Sequence, residues 1–122
     1  MRRALLVVSL LLGMMGGARC GTLARPGQVK HVVIVWLKQA ENTGRFMALS
    51  KELVELPGVV DYSIGPALED EQQTDRFHLG VVVTLEDRQS LREYLRHPRH
   101  REIIEKMRPL VARLATYDFI TR

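Results

Sequence analysis

The chain is poor in cysteine and in the sequence motifs that identify many enzymes. Cys20 is the only cysteine among 122 residues, so no disulfide can form within the chain and no paired-cysteine zinc motif exists. A glycine-rich phosphate loop and a strand-turn-helix serine motif are also missing. These absences exclude a disulfide-stabilised scaffold, and no motif predicts a cofactor or a metal.

Excess positive charge is confined to the beginning of the chain. The formal net charge is +4, but three of the eighteen basic side chains lie in the first nineteen residues, which hold no acidic residue. The remaining chain has 15 basic and 14 acidic side chains. Nucleic-acid binding needs a clear excess of Lys and Arg on one surface. We therefore predict no nucleic-acid partner.

Residues 1–19 have the composition of an export signal. Arg2 and Arg3 precede an apolar run over residues 4–12, which is shorter than the ~20 residues that a membrane-spanning helix needs. Cleavage after Ala18 fits the small residues at 16–18. Cleavage before Cys20 would instead make a lipoprotein, although Arg19 stands where a small residue is usual. Both alternatives stay open, and an uncleaved anchor is a third. Either cleavage predicts an exported protein, periplasmic or secreted, and only the lipoprotein alternative contacts a membrane, through a lipid anchor on Cys20.

The rest of the chain forms a linker and one domain. Residues 20–28 contain Pro26 and Gly27 without an apolar period, and they read as a linker. In the domain, residues 29–122, alternating and β-branched runs predict strands at 29–37, 59–64, 76–85 and 115–121. Apolar spacings of three and four predict helices at 44–56 and from 87 to about 108. The order β-α-β-β-α-β predicts an α+β, ferredoxin-like fold with a four-stranded antiparallel sheet and helices on one face.

The sheet face without helices is expected to be covered by a second copy of the chain. The third predicted strand has one apolar face and one smaller, more polar face, which suits a cavity wall or an interface. The smaller face carries Arg76, His78, Gly80, Val82 and Thr84. A monomer would leave Val33, Val35 and Val82 exposed on this sheet face, so we predict a homodimer.

A tyrosine and two histidines surround a proline in the second helical segment. Pro98 cannot donate a backbone hydrogen bond, and it disfavours a helical conformation at His97. The helix should therefore kink or restart there. We expect the kink to bring His100, with Tyr94, towards the side that holds His31 and His78. The alternative is a plain helix joint with surface histidines.

Several short segments between residues 29 and 121 form a recognisable set. They are Lys30-His31, Leu56-Pro57-Gly58-Val59, Val-Val-Val-Thr-Leu-Glu-Asp at 81–87, Tyr-x-x-His-Pro-x-His at 94–100, and Tyr117-Asp118-Phe119. In this order the set resembles the stress-responsive A/B barrel domain family of the dimeric α/β barrel superfamily. The resemblance implies two chains that pack their sheets face to face around a cavity, and most relatives have no settled activity.

The resemblance also implies roles for particular residues. Some plant relatives are polyketide cyclases, in which the tyrosine and the last histidine of the helical motif are the proposed acid-base pair. These positions are Tyr94 and His100 here. The histidines of the first and third strands, which are His31 and His78, would point into the same pocket. The first-helix tyrosine of those cyclases has no counterpart, since Leu49 lies near that place.

We therefore predict an exported, stress-linked dimeric barrel that binds a small apolar or carbonyl-bearing molecule. His31, His78 and Gly80 are the expected ligand-binding residues, with Gly80 leaving room for the ligand. The alternative is a cofactor-free cyclase or aldol-type enzyme that uses His100 and Tyr94 as its acid-base pair. Two other hypotheses stay open. One is a metal site made by His31, His78 and His100, and the other is a structural dimer with a filled barrel.

Export can be tested by the intact mass of the mature protein. We expect the chain to begin after Ala18 or at Cys20, because the basic and apolar segments of the leader direct export and cleavage. A diacylglycerol adduct on Cys20 would select the lipoprotein alternative. A mature chain that still begins at Met1 would contradict cleavage.

Overall fold

The computed structural model describes residues 21–69 and 75–122. The signal peptide predicted for residues 1–19, the lipidation predicted at Cys20 and part of the polar loop near residue 70 lie outside the described residues. Within the described ranges, no helix is long and apolar enough to cross a membrane.

The described chain forms one antiparallel sheet with helices on one face. The strand order is β2-β3-β1-β4, and every neighbouring pair is antiparallel. This arrangement confirms the predicted ferredoxin-like fold. The elements are β1 (Val29–Leu37), α1 (Thr43–Lys51), β2 (Val59–Pro66), β3 (Leu79–Leu85), α2 (Arg88–Arg96), α3 (Pro98–Met107) and β4 (Val111–Ile120).

Three predicted boundaries are wrong by three residues or more, and two of them have a local cause. The first helix ends at Lys51 rather than residue 56, because tight turns follow in which the Leu53 amide donates to the Ser50 carbonyl at 3.0 Å. The third strand begins at Leu79 rather than residue 76. The last strand begins at Val111 rather than residue 115, because its first residue already pairs with the end of β1.

The second helical segment is divided at the predicted proline. His97 has an extended backbone, with ψ of 134°, and α3 begins at Pro98. The His97 ring caps the new helix, since its Nδ1 accepts a hydrogen bond from the Arg99 amide at 3.1 Å. The predicted break is therefore confirmed. Tyr94 is the buried residue of α2 and is 2% exposed, whereas the neighbouring Leu95 is 38% exposed.

The pairing register decides which side chains of the sheet face the helices. His31 lies opposite Val83, and Val35 lies opposite Leu79. Paired residues project to the same face of a sheet. Leu79 and Ile103 are fully buried between sheet and helices, so His31 and Val83 also belong to this helix-facing side.

The opposite sheet face has no helix against it and is called the open face. It carries Val32, Ile34 and Trp36 from β1, with Tyr117 and Phe119 from β4. The two β4 side chains are 62% and 56% exposed. The expectation that Val33 and Val35 belong to this face is wrong, since both pack on the helix-facing side with the core.

Candidate functional site

A cavity of about 260 Å³ lies between the sheet and the helices of a single chain. Most of its wall is apolar, with valines from β1 and β3 and larger side chains from the helices. The polar side chains in the wall are His31, Ser50, Tyr62, Tyr94, His100 and Arg108. Such a wall, with a few convergent polar groups, is typical of small-molecule sites.

The floor of the cavity includes part of a row of residues that crosses all four strands. The register places Tyr62 of β2 opposite Val83 of β3. Val83 lies opposite His31 of β1, which in turn lies opposite Asp118 of β4. Because paired residues share a face, Tyr62, His31 and Asp118 lie in one row on the helix-facing side of the sheet.

His31 is held in place by Asp118. The His31 Nδ1 and the Asp118 Oδ1 are 2.6 Å apart, and the histidine is 6% exposed. A neutral imidazole that donates from Nδ1 to the carboxylate keeps Nε2 as a hydrogen-bond acceptor. Asp118 was not predicted as a site residue. Its only sequence signal was the Tyr117-Asp118-Phe119 segment, which does not reveal the strand pairing that joins it to His31.

Tyr94 and His100 meet over this floor. Their ring centroids are 4.7 Å apart in an edge-to-face arrangement, and the His31 and Tyr94 centroids are 6.1 Å apart. On a straight helix, residues six positions apart would point ~120° away from each other. The break at Pro98 turns α3, so that both rings line the cavity.

Burial controls the protonation of both rings. Desolvation, with smaller effects of His31 and His97, lowers the pKa of His100 to about 4. Desolvation and the nearby Tyr62 raise the pKa of Tyr94 above its ordinary value. At neutral pH the imidazole is therefore uncharged and the phenol keeps its proton. Within the described ranges, neither group takes part in a side-chain hydrogen bond, so both are free to bind a ligand.

A second polar pair lies in the same cavity. The hydroxyls of Ser50 in α1 and Tyr62 in β2 are hydrogen-bonded to each other, and Ser50 is 2% exposed. Burial raises the pKa of Tyr62, while the bond to Ser50 acts in the opposite direction. Neither residue was singled out from the sequence, because Ser50 falls within the apolar stripe of α1 and Tyr62 in a loosely alternating strand.

Two of the predicted ligand-binding residues do not reach the cavity. His78 precedes β3, and its Nδ1 accepts a hydrogen bond from the Leu37 amide at 2.9 Å. Gly80 pairs with Ile34 on the open face. The prediction that four residues converge is therefore wrong for these two, because the register sets His31 on the opposite face from both.

The hypothesis of a metal site made by three histidines is contradicted by the position of His78. His31 and His100 line the cavity, whereas His78 is engaged at the end of β1. Across residues 21–69 and 75–122, no group of three or more His, Cys, Asp or Glu side chains is placed to hold a metal ion.

The sheet and its helices define a ferredoxin-like α+β domain, and comparisons with known proteins narrow the class. Residues 29–121 match the family model described as the stress responsive A/B barrel domain. The match covers most of the chain, so the chain belongs to this family, as the sequence motifs predicted. A search of curated proteins finds no match.

Solved structures support the same fold. A Dabb family protein with a ferredoxin-like fold from Mesorhizobium loti is 22% identical, with a TM-score of 0.68 over 79% of this chain and 98% of that one. A dimeric ferredoxin-like protein of unknown function from Jannaschia is 25% identical, with a TM-score of 0.64 over 76% and 98%. Hydroxynitrile lyase from Passiflora edulis is 17% identical, with a TM-score of 0.71 over 80% and 96%.

The protonation of His100 can be measured by an NMR titration of the ring. We expect a midpoint near pH 4, because the buried site disfavours the charged imidazolium. The unfolded chain would bind this proton with a pKa near 6.5. The His100 contribution should therefore favour unfolding progressively as the pH falls from 6.5 towards 4. Comparison with His100→Gln assigns the signal, and a midpoint near 6.5 in the folded protein would contradict the described burial.

Proposed function

We propose that the chain is an exported protein that binds a small, mostly apolar molecule with a carbonyl group in the cavity between its sheet and helices. The observation that supports this proposal is the pairing of a buried phenol with an uncharged imidazole, both without a protein partner among the described residues. A phenol O–H can donate to a carbonyl oxygen that enters an otherwise apolar cavity. Export rests on the leader, and the link to stress rests on the family description.

The size of the cavity limits the ligand. A cavity of ~150 Å³ in another protein holds a benzene molecule. By proportion, about 260 Å³ accommodates roughly 10–12 non-hydrogen atoms. A monocyclic aromatic or a short branched ketone has this size.

A cofactor-free aldol-type enzyme is the second candidate, favoured by the uncharged state of His100. The imidazole would remove a proton from the carbon next to a carbonyl while Tyr94 donates a hydrogen bond to the enolate oxygen. The enolate carbon would then bond to a second carbonyl carbon, whose oxygen takes up the proton from His100. The net reaction moves no electrons to an external acceptor.

Calorimetric titration with para-isopropylacetophenone tests the binding proposal. We expect the ketone to bind the wild type, and Tyr94→Phe to weaken binding about five-fold, since one neutral hydrogen bond contributes ~1 kcal/mol. Tyr117→Phe on the open face is the matched control and should leave the affinity unchanged. A wild type that binds no ketone, or a Tyr94→Phe variant with full affinity, would contradict the proposal.

The same preparation separates binding from catalysis. If the chain is an enzyme, His100→Ala abolishes turnover of a β-polyketone-like substrate while the protein stays folded and dimeric. Equal turnover in the variant would remove His100 from the mechanism, and a wild type without turnover leaves ligand binding as the function.

We further propose that two copies pair through the open face. The face exposes two aromatic side chains, Tyr117 and Phe119, beside the half-buried apolar residues of β1. Monomeric proteins rarely expose a contiguous apolar patch of this kind. Relatives described as dimeric and ferredoxin-like are consistent with this arrangement.

Sedimentation at micromolar concentration tests the pairing. We expect the wild type to be a dimer, and the double variant Tyr117→Lys, Phe119→Lys to be a monomer, because charged side chains would be buried in the interface. Leu95→Lys, on the outer side of α2, is the control and should remain dimeric. A wild type that sediments as a monomer would refute face-to-face pairing.

A further inference from the structure

The Ser50 and Tyr62 hydroxyls have one more donor than their mutual hydrogen bond uses. Each hydroxyl carries one hydrogen, and only one of the two hydrogens lies between the oxygens. Neither hydroxyl makes a further side-chain hydrogen bond with any residue in the described ranges. When Ser50 donates to Tyr62, the remaining Tyr62 O–H has no acceptor there, although both residues line the cavity. A buried donor without an acceptor is unfavourable, so an acceptor on a ligand would be stabilising.

This pair lies at a different place in the cavity from the His31 side. Tyr62 is on β2 and His31 is on β1, with Val83 of β3 between them in the same row. Adjacent strands are ~4.8 Å apart, so the two backbones are ~10 Å apart. The space between them is bounded by apolar side chains. A ligand that binds a polar group on the His31 side and the hydroxyl pair at the same time must therefore carry two polar atoms.

The charges around the cavity favour an uncharged ligand. Among the described residues in its wall, Arg108 is the one with a permanent positive charge. Its side chain is 69% exposed and forms an ion pair with Glu105 at 2.9 Å. At the His31 end the nearest charged group is the Asp118 carboxylate. A carboxylate ligand would lose its hydration without gaining a buried cation.

We propose that the Tyr62–Ser50 pair is a second binding point, which donates a hydrogen bond to a second oxygen of the ligand. The ligand class is then an uncharged, compact molecule with two carbonyl-type oxygens. One oxygen binds Tyr94, and the other binds the hydroxyl pair. This inference rests on the proposed binding function, which it refines by making Tyr62 a specificity-determining residue.

Two ligands of the same shape test the second binding point. In para-diacetylbenzene, a second acetyl group replaces the isopropyl group of para-isopropylacetophenone. The meta isomers of the two compounds form a second matched pair. The measured quantity is the ratio of dissociation constants, monoketone over diketone, obtained by calorimetry. For at least one pair, Tyr62→Phe should lower this ratio about five-fold relative to the wild type, the effect of one neutral hydrogen bond.

Three variants make the interpretation specific. Ser50→Ala should leave the ratio near the wild-type value, because the Tyr62 hydroxyl then keeps a free O–H. In Tyr62→Phe, the Ser50 hydroxyl can donate to the backbone carbonyl of Phe46, one helical turn earlier in α1. It therefore does not replace the lost tyrosine donor. Tyr117→Phe, on the open face, should change neither constant.

The outcomes distinguish this inference from the proposed function. An unchanged ratio for both pairs in folded Tyr62→Phe overturns the second binding point, while monoketone binding to the wild type would preserve the proposed function. Failure of every ketone to bind the wild type overturns both. If Tyr62→Phe does not fold, tyrosine ring signals of the wild type decide the matter. The Tyr62 signal should shift with diketone and not with monoketone, and equal shifts would overturn the inference.

Discussion

The restriction that Pro98 places on the residue before it determines the geometry of the candidate site. His97 is forced into an extended backbone, and its ring then caps the helix that begins at Pro98. Without this break, α2 and α3 would be one helix, and the rings of Tyr94 and His100 would point to different sides. With it, they are in edge-to-face contact above the sheet. One backbone constraint therefore creates the pair of groups on which the chemistry of the cavity depends.

The two histidines of the cavity have contrasting surroundings. His31 has a carboxylate partner that orients its ring, whereas His100 has none among the described residues and lies in a desolvated place. Desolvation disfavours the charged form of an imidazole. The site thus holds one oriented imidazole and one that resists protonation. The side chains of His31 and His100 are chemically identical, so their different properties come from their surroundings.

The element order, the break at Pro98 and the family could be predicted from the sequence, because each depends on local signals. Strand runs, Pro98 and the Tyr-x-x-His-Pro-x-His segment are all short-range features. The membership of the site could be predicted only in part. Tyr94 and His100 share one short motif, but whether His31 lies with them or with His78 depends on a pairing register between distant strands. A shift of one residue moves every side chain of a strand to the other face.

The same dependence explains why Asp118, Tyr62 and Ser50 were missed. Each acquires its role only from a partner on another element: Asp118 from His31, and Tyr62 from Ser50. The predicted start of the last strand was wrong for a related reason. The structure places the start of β4 at Val111, which pairs with Leu37 at the end of β1. The sequence of residues 111–114 alone does not predict this pairing.

The alternation of β1 has a consequence for how the family can diversify. Odd-numbered residues of this strand, such as His31 and Val33, border the cavity, and even-numbered residues, such as Val32 and Ile34, form the open face. Neighbouring codons therefore govern two physically separate surfaces. Substitutions can reshape the interior of one chain without disturbing the surface it presents to other molecules, and the reverse also holds. The residues of β1 that line the cavity and those that form the open face can therefore change independently, although they alternate along one strand.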